Sequence, residues 1–239
     1  MKTEIIYGTH AVLEALKAKR RTCHTIYVLD HKNNTHIQTI NQLIKNHVPI
    51  DYISKATMAQ LTKTEKHQGI AARMSNYPIL DETHIPSHEH AFILMLDSIS
   101  DPHNMGALLR TALCTGVDAV IITKDRSVQP NAVVSKCSSG AMERIKIIQV
   151  TNLVACITLL KKQGFWISGL AKEGTQSIFS FSVHRPIVLI VGGEGKGIRP
   201  LVRKHCDHIL YIPQEGPVQS LNASVAGAIA MYEVYRHTI

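Results

Sequence analysis

The chain has 239 residues, 45% of them hydrophobic and 18% charged, with a mean hydropathy near zero. That is apolar material for one large core or two modest ones, and its wealth of Ile, Leu and Val excludes intrinsic disorder. Its longest apolar runs, such as Phe92 to Leu96 and Ile187 to Val191, exclude a helical membrane span of ~20 residues, while 26 Lys/Arg against 18 Asp/Glu favour a polyanionic partner.

The opening MKTEIIYGTH places Glu4 directly before a three-residue apolar patch, so it offers no signal-peptide core. A helical pattern over 9–20 (Ala11, Val12, Ala15, Leu16) closes on Lys17, Lys19, Arg20 and Arg21, cations that suit a helix C-terminus. Short β-branched runs at 25–29, 49–53 and 69–74 read as strands. Residues 35–47, with Ile37, Ile40, Leu43 and Ile44 at helical spacing, and 56–63 read as helices. Residues 1–80 hold 11 Lys/Arg and 5 Asp/Glu, so most of the positive excess sits in one third of the chain. Such a concentration suits a nucleic-acid-facing module, because phosphate neutralisation dominates sequence-independent affinity.

After Tyr77-Pro78 comes ILDETHIPSHEH, polar and Pro-containing, before the apolar run restarts at Ala91. The reading is a first domain over 1–78, a linker over 79–89 and a second domain over 90–239. His88-Glu89-His90 reads as solvated linker. The five cysteines are widely spaced and never form a CxxC pair, so neither a disulfide framework nor a metal site is expected, and the compartment expected is the reducing cytoplasm.

The second domain alternates strands at 91–97, 119–123, 145–150, 165–170, 187–191 and 208–212 with helices near 104–115, 131–142, 152–163 and 199–205, and a closing helix at 222–236. This alternation predicts a mostly parallel α/β sheet covered on both faces, with ligands bound beyond the carboxyl ends of its strands. Three loops there hold the chemistry. In DPHNMGALLR (101–110), Asp101-Pro102 opens a turn, Asn104 is placed to cap a helix starting at Met105, and Arg110 lies four residues beyond Gly106 on one helical face. In VGGEGKGI (191–198), four glycines surround Glu194, yet the loop fits neither the dinucleotide fingerprint, which needs glycine at Ile198, nor the phosphate loop, which needs a hydroxyl residue at Gly197. In IPQEGPVQSLNASVAGAIAMYE (212–233), Ser220 and Asn222 precede a helix of small residues suited to close packing. Taken singly, the first and third loops read more readily as capped helices, and the second equally well as a bare glycine turn.

Together and in order, the loops resemble the three motifs of the SpoU (TrmH-like) branch of the SPOUT RNA methyltransferases. Asn104, Gly106 and Arg110 match the first, Gly192, Glu194 and Gly197 the second, and Ile212-Pro213 through Ser220-Leu221-Asn222 the third. YGTHAVLEAL near the start and HQGIAA at 67–72 look like the substrate-binding domain of the family's ribosomal members. Two departures, Gln214 where the family usually has Met and Ala223 where it often has Val, adjoin the cofactor loop. The resemblance implies an α/β domain with a deep trefoil knot, an exception to general topology rules, preceded by a small ribosomal-protein-like α/β/α domain. It implies a homodimer and a co-substrate, S-adenosylmethionine, held by the backbone around Gly192, Ile212 and Leu221. The reaction implied is methylation of the ribose 2′-hydroxyl of a guanosine in 23S rRNA, free or in an assembling ribosomal subunit. Arg110, Asn104, Glu194, Ser220 and Asn222 would be the catalytic set. Arginine, with a pKa above ~12, is a poor base, so the role expected of Arg110 is to bind the adjacent phosphate and stabilise a developing alkoxide. Methylation of tRNA, and a non-catalytic RNA-binding or ribosome-assembly role, are the alternatives.

Overall fold

The computed structural model describes residues 2–30, 37–44, 48–216 and 220–238, which form two compact units: 2–78 with 130–144, and 79–129 with 145–238. In the first unit, β1 (Thr3–Tyr7), α1 (Thr9–Ala18), β2 (Cys23–Leu29), α2 (Ile37–Ile44), β3 (Ile50–Ile53), α3 (Lys55–Thr62) and β4 (Ile70–Ser75) follow one another. The sheet order is β1-β4-β2-β3. β4 runs antiparallel to both neighbours and only β2 and β3 are parallel, so the alternation rule fails for this small sheet. Strand β1 escaped the sequence reading although Thr3, Ile5 and Ile6 are β-branched, because so short a run at the chain's start gains its partner only from the distant β4. The helix expected at 35–47 is seen over Ile37–Ile44, and its outer residues 35, 36 and 45–47 lie outside the described ones.

Alternation along the strands produces three layers. Ile26 and Val28 of β2 pack with Val12, Leu16, Ile40 and Ile44 of α1 and α2 on one face. Ala71 of β4 meets Tyr7 and Met58 on the other, where α3 lies. The segment 130–144 completes this unit. Asn131 caps α5 (Ala132–Cys137), its Oδ1 accepting from the amides of Val133 and Val134 at 2.9 and 3.1 Å. The helix expected at 131–142 stops at Cys137 because Ser139 and Gly140 adopt positive φ, and a 3-10 turn follows at Ala141–Glu143.

Arg21 departs from its expected place as a solvated helix-end cation. Lys19 ends α1 in a left-handed conformation, and the Arg21 guanidinium turns inward with no side-chain exposure. It donates to the Ser75 carbonyl (2.8 Å), to Glu143 (3.1 Å) and to Glu4. Ser135 Oγ donates to the same Glu143 carboxylate at 2.8 Å.

The second unit contains β5 (Phe92–Asp97), α4 (Pro102–Cys114), β6 (Ala119–Thr123), β7 (Lys146–Val150), α6 (Leu153–Lys162), β8 (Trp166–Leu170), β9 (Gln176–Ser177), β10 (Ile187–Gly192), α7 (Pro200–Lys204), β11 (His208–Tyr211) and α8 (Ala223–Arg236). Every pairing in the sheet, of order β7-β6-β5-β10-β8-β11-β9, is parallel. The central strands β5 and β10 are buried on both faces, which is why they read as unbroken apolar runs. Cys156, Ile157 and Leu160 of α6 and Val202 of α7 cover one face. On the other, α8 packs against α4 and β10. Its small residues permit that approach: a Cβ on Gly227 would lie 2.3 Å from Leu108 Cδ2. Within 79–89, Leu80 pairs with Ile148 beside β7, while 81–84 and 87–89 are exposed. Among the described residues, no helix is long and apolar enough to cross a membrane.

Burial pushes the Cys156 and Cys206 thiols up to about 12. At pH 8 about one in ten thousand of either would be thiolate, the reactive form. Both are therefore expected to resist iodoacetamide in the native chain and to react once it is unfolded in denaturant, as peptide mass spectrometry would read. Rapid native labelling of either would contradict this packing.

Candidate active site

The carboxyl ends of β5, β8, β10 and β11 carry the loops of interest. After β5, Asp101 rather than Asn104 caps α4: its carboxylate accepts from the amides of His103 (3.0 Å) and Asn104 (3.3 Å), and the helix begins at Pro102. This corrects the cap expected at Asn104, because Asp101 already sits at the turn and proline is pre-organised for the first helical position. Asn104 is thereby freed and buried within the first turn. Its Nδ2 donates to Glu194 Oε1 at 2.8 Å.

Asn222 does two jobs. Its Oδ1 caps α8 by accepting from the Ser224 amide (2.9 Å), while its Nδ2 donates to Glu194 Oε1 (2.7 Å) and to Asn104 Oδ1 (2.9 Å). Three side chains from loops 90 and 28 residues apart thus close one hydrogen-bonded lock. One carboxylate oxygen serves two amide donors, and such charge-assisted bonds are roughly twice as strong as neutral ones.

Beside the lock lies a cavity of about 600 Å³, within the ~300–1,000 Å³ usual for small-molecule sites. Leu170, Val191, Ile198 and Leu221 supply apolar wall, residues 192–197 supply backbone, and Lys172, Glu173 and Arg203 bring charges of both signs. Gly192 is indispensable to this shape: a Cβ there would fall 2.1 Å from the Gly197 carbonyl carbon and 2.3 Å from the Ile198 amide nitrogen. A second cavity of about 110 Å³ shares Leu170, Ala171, Lys172, Ser220, Leu221 and Ala226 with the first and adds Ile212 and Gln214.

Of the residues singled out in sequence, Gly192, Glu194, Ser220, Leu221 and Asn222 line the larger cavity, together with Ala223, and Ile212 the smaller. Asn104 joins them through the lock. Arg110 stands apart from that wall, on the exposed side of α4. Sequence reasoning missed Lys172, Glu173 and Arg203, which no motif marks; Arg203 donates to the Glu173 carbonyl at 3.0 Å. It also passed over Asp97, although a carboxylate ending the apolar run FILMLD was a visible signal.

Glu194 is exposed, but Glu194→Ala would leave the Nδ2 of the buried Asn104 without its acceptor, so a modest fall in melting temperature is expected. We expect turnover at this site to drop at least tenfold, with Glu194→Gln, which keeps an acceptor oxygen, falling in between. Steady-state kinetics beside thermal melts would check this.

Residues 91–232 match the model of the SpoU rRNA methylase family, and residues 5–80 match that of the RNA 2′-O ribose methyltransferase substrate-binding domain. The 23S rRNA (guanosine-2′-O-)-methyltransferase RlmB of Vibrio parahaemolyticus is 38% identical, over 100% of this chain and 99% of its own. The protein of the same name from Yersinia pestis is 38% identical over 98% of this chain and 97% of its own. Among solved structures, the SpoU methyltransferase AviRb from Streptomyces viridochromogenes, in complex with AdoMet, superposes with a TM-score of 0.84 at 20% identity, over 98% of this chain and 89% of that one.

Proposed function

This chain belongs to the SpoU rRNA methylase family, and on that premise we propose that it transfers a methyl group from S-adenosylmethionine to the ribose 2′-hydroxyl of a guanosine in 23S rRNA. The observation that carries the reading is the lock of Asn104, Glu194 and Asn222 at the edge of a glycine-walled cavity. The residues present suit the co-substrate: apolar walls and backbone for its adenosyl part, and paired charges for the ammonium and carboxylate of its amino-acid end. Gly192, Leu221 and Ile212 would hold it, and it supplies an electrophilic methyl carbon when bound.

The chain's own groups do the rest. The lock fixes the loops, so that the acceptor oxygen meets a pre-oriented site and little ordering remains for the reactive encounter. Arg110, exposed on the same helix as Asn104, binds the phosphate beside the target ribose and stabilises charge developing on the 2′-oxygen; its planar fork matches a phosphate where lysine offers a point charge. Ser220, at the cavity wall, positions the ribose. Residues 1–78, the bulk of the unit that 130–144 completes, bind the RNA, and the rest of 90–239 carries the chemistry. The full-length likeness to proteins named as 23S rRNA methyltransferases supports that substrate. We place the family's trefoil knot where residues 193–198 and 220–222 line the cavity. A homodimer is supported by the exposed apolar side chains Leu113 on α4 and Val225 and Tyr232 on α8.

Labelled S-adenosylmethionine offered with protein-free 23S rRNA and bulk tRNA together tests the substrate. Label in 23S rRNA alone is expected, and Arg110→Lys should lose most of it. Label in tRNA alone would overturn the substrate reading, and a fully active Arg110→Lys enzyme the role given to Arg110.

A further inference from the structure

We infer that Asp97 is a positioning residue that sets the shape of the cofactor loop by anchoring both of its ends; the inference rests on the reading of the cavity as the S-adenosylmethionine site. Asp97 ends β5 and is wholly buried, at the close of a strand otherwise apolar. A buried carboxylate is costly unless well paired, and this one is. Its Oδ2 accepts from the main-chain amide of Arg199 at 2.8 Å, and its Oδ1 from Arg199 Nε at 2.6 Å and Ser98 Oγ at 3.1 Å. Its main-chain carbonyl accepts from the Gly193 amide at 2.9 Å.

Gly193 opens the loop and Arg199 closes it. One buried residue of the neighbouring strand therefore holds the entry through its backbone and the exit through its side chain. Between the two anchors, the Gly197 amide donates to the Gly193 carbonyl at 3.0 Å, which cinches the loop across its middle. Everything the site draws from this segment lies inside the cinch or beside it: the backbone facing the cavity, and Glu194, the acceptor of the lock. Asp97 is not among the cavity's described lining residues, so it acts through Gly193 and Arg199 and not on the ligand.

The geometry grades the variants. Arg199→Ala removes the Nε bond but leaves the main-chain amide on Oδ2. Asp97→Asn offers one carbonyl oxygen to donors that now use two, and turns an NH₂ toward one of them. We expect affinity for S-adenosylmethionine, measured by calorimetry, to fall about threefold in Arg199→Ala and tenfold or more in Asp97→Asn. The double variant should be no weaker than Asp97→Asn alone, because the partner is already lost; non-additivity of this kind marks a shared interaction. Hydrogen exchange on the full chain without any cofactor gives an independent reading: peptides spanning 193–199 should exchange faster in Asp97→Asn while those of β6 and β7 do not change.

Wild-type exchange and affinity in a folded Asp97→Asn protein, or additive losses in the double variant, would overturn the anchor. Should Asp97→Asn fail to fold, Arg199→Ala decides by the same two readouts. If exchange rises as expected but the wild type takes up no S-adenosylmethionine, the anchor stands as a loop device and the cofactor reading falls.

Discussion

A Gly192→Ala protein should lose S-adenosylmethionine binding almost completely, by at least a hundredfold, and melt several degrees below the wild type. The new methyl would meet the backbone of Gly197 and Ile198 at 2.1–2.4 Å, with no flexible side chain to swing aside. Overpacking of this kind costs ~1–3 kcal/mol even where side chains can yield. Here the only relief is to push the 193–198 loop away from β10. That displaces the backbone facing the cavity and drags Glu194 off Asn104 and Asn222. Binding and the melt should therefore fall together, and a calorimetric titration beside a thermal scan would read both. Wild-type affinity in this variant would mean that the loop tolerates an opening the packing forbids.

The second large effect is expected in the first unit. Arg21→Met should destabilise it by ~3–5 kcal/mol, the usual result of removing one partner from a buried ion pair. Among the described residues, Glu143 would be left buried with Ser135 as its remaining side-chain partner. Burial already holds the Glu143 carboxyl above the ordinary glutamate range, outweighing the nearby Arg21. Without the guanidinium it should rise further. A carboxyl raised in the folded state contributes stability at pH below its unfolded value, and that contribution is lost as pH climbs through the folded value. The gap in melting temperature between wild type and Arg21→Met should accordingly be widest near neutrality and should narrow as pH falls through the carboxylate range. A gap independent of pH would mean that Glu143 is not the group left exposed to the cost.

These two sites differ in how visible they are in the sequence. Gly192, Glu194 and Asn222 are visible as motif residues, because glycine density and a lone carboxylate in a loop after an apolar strand already restrict what the backbone there can do. The parallel sheet of the second unit is equally plain, since strands buried on both faces must be apolar throughout. Arg21 is different. Its local setting, four cations at the end of a helical pattern, describes a solvated helix end, and only the distant Glu143 and Glu4 explain why it turns inward. The same holds for 130–144, whose place in the first unit depends on partners more than 50 residues away in sequence, such as Gln68, bonded by Lys136. Asn104 falls between these cases. The helix start was legible to within three residues, but which side chain caps it was decided by Asp101 and by the competing claim of Glu194 on the amide. Arg203 carries no local signal: it is one of two cations ending a short helix, and its partner, the Glu173 carbonyl, belongs to the loop after another strand.

The central claim is methyl transfer to a ribose 2′-oxygen of ribosomal RNA, and the product itself tests it most directly. Wild-type and Arg110→Ala proteins would be incubated with labelled S-adenosylmethionine and protein-free 23S rRNA, and the RNA hydrolysed in alkali. A 2′-O-methyl group blocks cleavage at its own phosphodiester, so the account predicts label in a single alkali-resistant dinucleotide whose methylated residue is guanosine, absent with Arg110→Ala. Label released in mononucleotides would place the methyl on a base. Tight RNA binding with no label from the wild type, on free rRNA and on assembling subunits alike, would contradict the enzyme and leave an RNA-binding protein on this scaffold.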